Sequence, residues 1–288
     1  MPTINGCHVP DRFADTLKLH VALNMIGARE LGIPLILGIH GPSGDGKTFQ
    51  TELVLKEMGI SIVRVTPHEL ESAEAGAPAR MISERYWEAS QLGQDGAVGG
   101  AVMIIEDLDL GIGSWRDLTQ YTVNTQLIVN CLMAIADEPT QVASRATVRV
   151  PIIATGNDLT RLYLPLLREG RTLLFRWTPT LEEKIEIVRK SIFPEGFLSD
   201  GDLNLLVDRY KHRPIAFFAQ LRAQVTTRIL ANKLANTELP GVLARTAEII
   251  HEGGEAKRLT ADELVGLAEA IDANRPAGAL ITTENKHG

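Results

Sequence analysis

Only two cysteines, Cys7 and Cys131, occur in the 288 residues of this chain. So few exclude a disulfide-framed fold and predict free thiols in a reducing, cytoplasmic setting. Aromatic residues make up just 5% of the sequence, and the formal net charge is −7. Nucleic-acid binding calls for a basic face and often for stacking rings, so both figures argue against nucleic acid as a partner. Long apolar runs are absent as well. The most extended, at 34–39 and 101–105, fall far short of the roughly 20 residues that cross a bilayer, which argues against a membrane association. The opening residues, MPTINGCHVPDRFADTLK, contain no basic stretch followed by an apolar one, so no secretory signal is expected.

What is present is a hydrophobic fraction of 44%, enough for one large core and one smaller one. Runs rich in β-branched and aliphatic residues lie at Leu35–Ile39, Ser61–Val65, Val102–Ile105, Val150–Ala154 and Leu173–Trp177. Helical periodicity fills the gaps, as in Thr48–Met58, Ala79–Leu92 and Val123–Ile135, where Val123, Leu127, Cys131 and Ile135 form one stripe. Alternation of this kind predicts an α/β domain with a five-stranded parallel sheet over 34–178, sited so that ligands meet the carboxyl ends of the strands. Residues 1–33 read as an amino-terminal linker and helix. Beyond Pro179 no strand-like run follows, and apolar spacing at 185–192, 203–207, 217–234, 242–250 and 264–271 predicts an all-helical domain over 179–288. Gly253–Gly254 and Asn274–Pro276 are turn signals, after which the chain is expected to fray.

The strongest motif is Gly41-Pro42-Ser43-Gly44-Asp45-Gly46-Lys47-Thr48. It fits G-x-x-x-x-G-K-[ST] and stands between a predicted strand and a predicted helix, the context that phosphate binding requires. Its glycines let backbone N–H groups turn toward a phosphate, Lys47 neutralises phosphate oxygens, and Thr48 offers a hydroxyl to Mg²⁺. Phe49 follows directly and joins the predicted nucleotide-binding set. A second apolar run, Ala101–Ile105, ends in Glu106 and Asp107. Carboxylates there can hold a hydrated Mg²⁺ and polarise an attacking water, and the order Glu then Asp leaves open which of the two serves the metal. Asp109 either contributes or only caps the next turn. A third apolar run ends in Thr155-Gly156-Asn157-Asp158; two arginines, Arg168 and Arg171, follow, and Arg222 lies in the helical region.

Taken together, these motifs resemble those of AAA+ ATPases. That resemblance implies ATP and Mg²⁺ as ligands, Asn157 as the residue orienting the lytic water, Arg168 or Arg171 as a finger supplied to a neighbouring subunit, and Arg222 as a contact from the helical lid. Several intervening stretches are similar to one family within them, the Rubisco activases: IPLILGI at 33–39, FQTELV at 49–54, ELES at 69–72, TQYTVN at 119–124, IAD at 135–137 and TGND at 155–158. This likeness covers roughly 10–270. It implies a homo-oligomeric, commonly hexameric ring that uses ATP to open Rubisco blocked by a sugar phosphate. By match, loops near Glu71–Ala77 and Gly111–Asp117 would face the central pore, with Trp115 as a candidate grip on the client. Departures from the family include Glu106 in place of the common Asn, a different filling at Pro42–Asp45 and a short Thr140–Val148 segment. The plant amino-terminal domain, a small-subunit-like module and a carboxyl-terminal redox cysteine pair are expected to be lacking. Two other readings stay open: a remodeller of a different client, and an ATP-binding scaffold with little turnover.

Overall fold

The computed structural model describes the chain except for residues 1–2, 5, 28–30, 95–98, 113–122, 194–196, 236–240, 243–245, 247–260 and 274–288. The expected second pore loop beyond residue 112, Trp115, most of the 242–250 helix and the turn signals at 253–254 and 274–276 thus lie outside the described residues. Two compact units follow one another, Met1–Thr180 and Leu181–Gly288.

In the first unit a short antiparallel pair, β1 (Thr3–Ile4) and β2 (Cys7–His8), precedes helix α1 (Asp11–Met25). The alternation that follows is β3 (Ile36–His40), α2 (Lys47–Glu57), β4 (Ser61–Val65), α3 (Pro67–Leu70), α4 (Ala77–Gln94), β5 (Ala101–Ile105), α5 (Leu108–Ile112) and α6 (Val123–Asp137). A small hairpin, β6 (Gln141–Val142) and β7 (Arg145–Ala146), leads into β8 (Ile152–Gly156) and β9 (Thr172–Arg176). Five of these strands form a single sheet in the order β4-β5-β8-β3-β9, with every pairing parallel. β3, β5 and β8 are buried at every residue, which is why they read as unbroken apolar runs: helices cover both faces of the sheet. The third run begins at Ile152 and not at Val150, since Pro151 has no N–H to give to the ladder.

Tyr86 on α4 shows how the layers are fastened. Its ring is fully buried, its hydroxyl donates to the Pro139 carbonyl at 3.2 Å, and it accepts the Val150 N–H at 3.0 Å. One phenol thereby joins α4, the base of the hairpin and the approach to β8, and satisfies groups that would otherwise be buried without partners. At α3, Thr66 and Glu69 form a reciprocal capping box, and Arg85 braces Glu69 from α4 at 2.9 Å.

Among its described residues the second unit contains α7 (Leu181–Ile187), a π-turn over Val188–Ile192, α8 (Asp200–Arg209), α9 (Ile215–Leu234) and a further helix, Ala261–Ala273. Its own core gathers Phe193, Phe197, Val207, Phe217, Phe218 and Leu221. Ser199 caps α8 by accepting the Asp202 N–H at 3.1 Å. Among the described residues no helix is long and apolar enough to cross a membrane.

Candidate nucleotide site

Because the sheet is parallel, the ends of β3, β5 and β8 open on one edge, and the three motifs meet there. The loop between β3 and α2 turns back on itself through left-handed backbone: Gly44 has φ +85° and Gly46, which caps α2, has φ +75°. Gly41 has a steric reason to be glycine. A Cβ there would stand 1.9 Å from the carbonyl oxygen of Trp177, far inside any tolerable contact.

Lys47 opens α2 and is buried, at 6% exposure. Its ammonium donates to the carbonyls of Gly41 at 2.8 Å and Pro42 at 3.0 Å. Among the described residues it has no ion-pair partner within salt-bridge distance. Burial pulls its pKa below the ordinary lysine value, while the fields of Asp107, Asp45 and Asp109 partly oppose that shift. A buried ammonium at a helix N-terminus, held only by loop carbonyls, is an arrangement an anion would stabilise. Thr48 places its Oγ1 3.3 Å from Thr155 Oγ1 on β8, and Thr155 in turn accepts the Asp107 N–H at 3.2 Å. Thr155 therefore ties the ends of all three motifs together.

The two carboxylates after β5 point to different partners. Glu106 binds Arg64 of β4, Oε1 to Nη1, at 2.9 Å, and the same guanidinium also binds Glu52 of α2. Asp107, with φ +44°, is the acidic group whose field acts most strongly on Lys47. Asp109 accepts the N–H groups of Asn157 at 2.9 Å and Asp158 at 3.0 Å, so it caps the turn that leaves β8. Asn157 also gives its carbonyl to the Gly41 N–H at 3.1 Å, and its carboxamide has no hydrogen bond among the described residues. Phe49 stands on the exposed side of α2, 56% accessible.

The arginines separate clearly. Arg171 is fixed within its own unit: its Nε and one terminal nitrogen bind both oxygens of Asp137, at 2.7 and 2.6 Å, and the other donates to the Pro165 carbonyl at 2.7 Å. Arg168 is exposed, and its side chain forms no hydrogen bond or ion pair among the described residues. Arg222, in the second unit, lies with its guanidinium carbon 4.2 Å from the Phe197 ring centroid and donates to Thr226 Oγ1 at 3.1 Å. Of the first expected pore loop, Ser72 and Gly76 are held by Asn124 at the start of α6.

Two residues near the site carry no signal in the motifs, Arg64 and Trp177, and Thr155 stands within the third motif without a role assigned to it from sequence. Trp177 had the best available cue, since a buried indole N–H must find an acceptor. Among the described residues no group of three or more His, Cys, Asp or Glu could hold a metal. The residues present still fit Mg²⁺ carried by a nucleotide, because such an ion takes most of its ligands from phosphate and water and needs one or two protein oxygens. Of the groups at this edge, the Thr48 hydroxyl and the Asp107 carboxylate would supply them.

Residues 37–179 match the family described as "ATPase family associated with various cellular activities (AAA)". The chain is 45% identical over 226 residues to the ribulose bisphosphate carboxylase/oxygenase activase of Anabaena sp., covering 76% of this chain and 54% of that protein. It is 43% identical over 227 residues to the chloroplastic activase of Phaseolus vulgaris, covering 77% and 51%, and 42% identical over 228 residues to that of Arabidopsis thaliana, covering 77% and 48%. The chain thus spans about half the length of the relatives it matches. With the five-stranded parallel sheet, the glycine-turned loop and these matches, residues 37–179 form a domain of the AAA ATPase family, and Rubisco activases are among the chain's relatives.

Proposed function

We propose that this chain binds ATP with Mg²⁺ at the edge of its sheet, hydrolyses it, and uses the energy to remodel Rubisco blocked by a sugar phosphate. The observation that carries nucleotide binding is the buried Lys47 ammonium, bonded among the described residues only to the carbonyls of Gly41 and Pro42. Gly41 to Gly46 cradle the phosphates, Lys47 neutralises them, and Thr48 and Asp107 hold the metal. Bound Mg²⁺ would supply charge neutralisation on the phosphates. Asn157 orients the lytic water, which Asp107 polarises. Arg168 reaches the site of a neighbouring subunit, so the working form is a homo-oligomer, in our reading a hexameric ring in the cytoplasm. Arg222 enters this scheme through the resemblance alone. The choice of client rests on the relatives named as activases of ribulose bisphosphate carboxylase/oxygenase.

One observation favours a second reading, a nucleotide-binding scaffold with little turnover: Glu106 is engaged by Arg64. Two assays decide. The purified protein is added to sugar-phosphate-inhibited Rubisco with ATP, and carbon fixation is followed beside phosphate release, with Lys47→Ala as the blank. Restored fixation is expected only with wild type. Release of phosphate without reactivation would point to a different client, and failure of both activities in wild type would leave the scaffold.

A further inference from the structure

We propose that Trp177 is a positioning residue for phosphate binding, latching the 41–46 loop through the Asp45 carbonyl and tying that loop to the segment leading into the second unit. The inference rests on the nucleotide reading above and adds to it a residue outside the phosphate-binding motif.

Trp177 follows β9 directly and is fully buried. Its backbone N–H donates to the His40 carbonyl at 2.7 Å, which extends the β3–β9 ladder to the first residue before the loop. The side chain is fixed on two sides. Phe13 of α1 meets its ring edge-on with centroids 5.0 Å apart, and the Arg12 guanidinium carbon lies 4.8 Å from the ring centroid. Held in this way, the indole Nε1–H donates to the Asp45 carbonyl at 3.0 Å. Gln50 donates its Nε2 to the same oxygen at 3.1 Å, so both acceptor positions of that carbonyl are occupied.

The consequence follows from peptide planarity. In a trans peptide the carbonyl of one residue and the N–H of the next point in opposite directions. A carbonyl of Asp45 pinned on the side of Trp177 and Gln50 therefore sets the Gly46 N–H toward the other side, as a phosphate cradle at the start of α2 requires. Trp177 also meets the other end of the loop, since its own carbonyl fills the space a Cβ on Gly41 would need. The loop cannot open without stranding a buried indole N–H, a costly group to leave unpaired. Arg12 extends the same connection outward by donating to the Thr178 carbonyl at 3.1 Å, three residues before Leu181, where the second unit begins.

The test compares Trp177→Phe, which keeps an aromatic ring and removes the donor, with Ile82→Val, a core change on α4 away from the loop. Affinities for Mg-ADP and for magnesium pyrophosphate are measured by calorimetry beside thermal midpoints. Trp177→Phe is expected to bind both about fivefold more weakly, the worth of one net hydrogen bond, whereas Ile82→Val loses thermal stability and binds as wild type does. Equal binding by Trp177→Phe, or equal weakening by Ile82→Val, would overturn the proposal. A Trp87→Phe, Trp115→Phe protein, in which Trp177 is the only indole, keeps the question open to measurement should Trp177→Phe not fold. Its emission should shift when Mg-ADP is added, and unchanged emission on saturation refutes the latch. Absence of any Mg-ADP affinity in wild type is a separate result: it would defeat the nucleotide reading itself, and the latch with it.

Discussion

Arg64 sets its guanidinium between Glu52 and Glu106, 2.9 Å from Oε1 of the latter. The shared cation holds the Glu52 carboxyl below the usual carboxylate range and commits Glu106 to an ion pair on the β4 side. On the proposed reading Asp107, whose field reaches Lys47, is then the carboxylate that would serve the metal and the water. Asp107→Asn should lower steady-state phosphate release by about 100-fold or more, the scale on which removing one charge-stabilising group acts, while Glu106→Gln keeps it within a few-fold. The reverse ranking would exchange the two roles.

Arg168 and Arg171 are three residues apart, yet they make opposite predictions. Arg171 is 14% exposed and satisfied by Asp137 and Pro165; truncation to Ala should lower stability by about 1–3 kcal/mol, read as a urea midpoint. Arg168→Ala should leave that midpoint unchanged and reduce phosphate release by about three orders of magnitude. If Arg168 acts on a neighbour, mixing inactive Arg168→Ala and Lys47→Ala subunits restores part of the activity, because some interfaces then pair an intact loop with an intact arginine. A mixture that stays inactive despite subunit exchange would remove Arg168 from the trans role.

The fold was legible where burial and chemistry are written locally. β3, β5 and β8 are buried on both faces and so read as apolar runs, and the phosphate loop is a contiguous string of special residues. What was not legible depends on partners far apart in sequence. Trp177 and Asp45 are separated by 132 positions and Arg64 and Glu106 by 42, and no spacing rule joins such pairs. The β6–β7 hairpin failed for another reason. Its turn residues, Ala143 with φ +49° and Ser144 with φ +64°, adopt left-handed backbone without the Asn-Gly or Asp-Gly signature that normally announces it. The two arginines looked equivalent because the feature dividing them, Asp137, belongs to a separate helix.

His20 gives the protein an acid sensitivity apart from its carboxylates. It is buried in α1, and burial pushes its pKa down to about 4, with the nearby Arg149 charge acting the same way and a Leu35 backbone contact opposing. The folded state thus keeps His20 neutral while the unfolded chain takes up a proton near pH 6.5, so its contribution is complete above that pH and is lost between about 6.5 and 4. The gap corresponds to about 3 kcal/mol. His40, also lowered chiefly by burial, adds in the same direction. Urea midpoints should fall steadily from pH 7 to pH 4.5, before most carboxylates titrate, and His20→Gln should flatten that slope. An unchanged slope in the variant would assign the acid limb elsewhere.

α6 carries a clamp near each end. At its start Asn124 accepts the Gly76 N–H and donates to the Ser72 carbonyl, both at 2.8 Å, closing the 72–76 loop across its base. At its end Asp137 fixes Arg171, and with it the segment that bears Arg168. Fifteen residues of helix at 1.5 Å per residue make a strut of roughly 20 Å. If the 71–77 loop meets the client and Arg168 meets a neighbour's nucleotide, this strut joins the two events mechanically. Asn124→Ala should therefore speed amide exchange over 72–76 and impair Rubisco reactivation several-fold, while phosphate release without client stays within about twofold, since among the described residues the Asn124 carboxamide bonds to Ser72 and Gly76 and to no nucleotide-site residue. Impaired phosphate release without client would mean that Asn124 serves the fold of the whole unit, and unimpaired reactivation would detach this loop from the client.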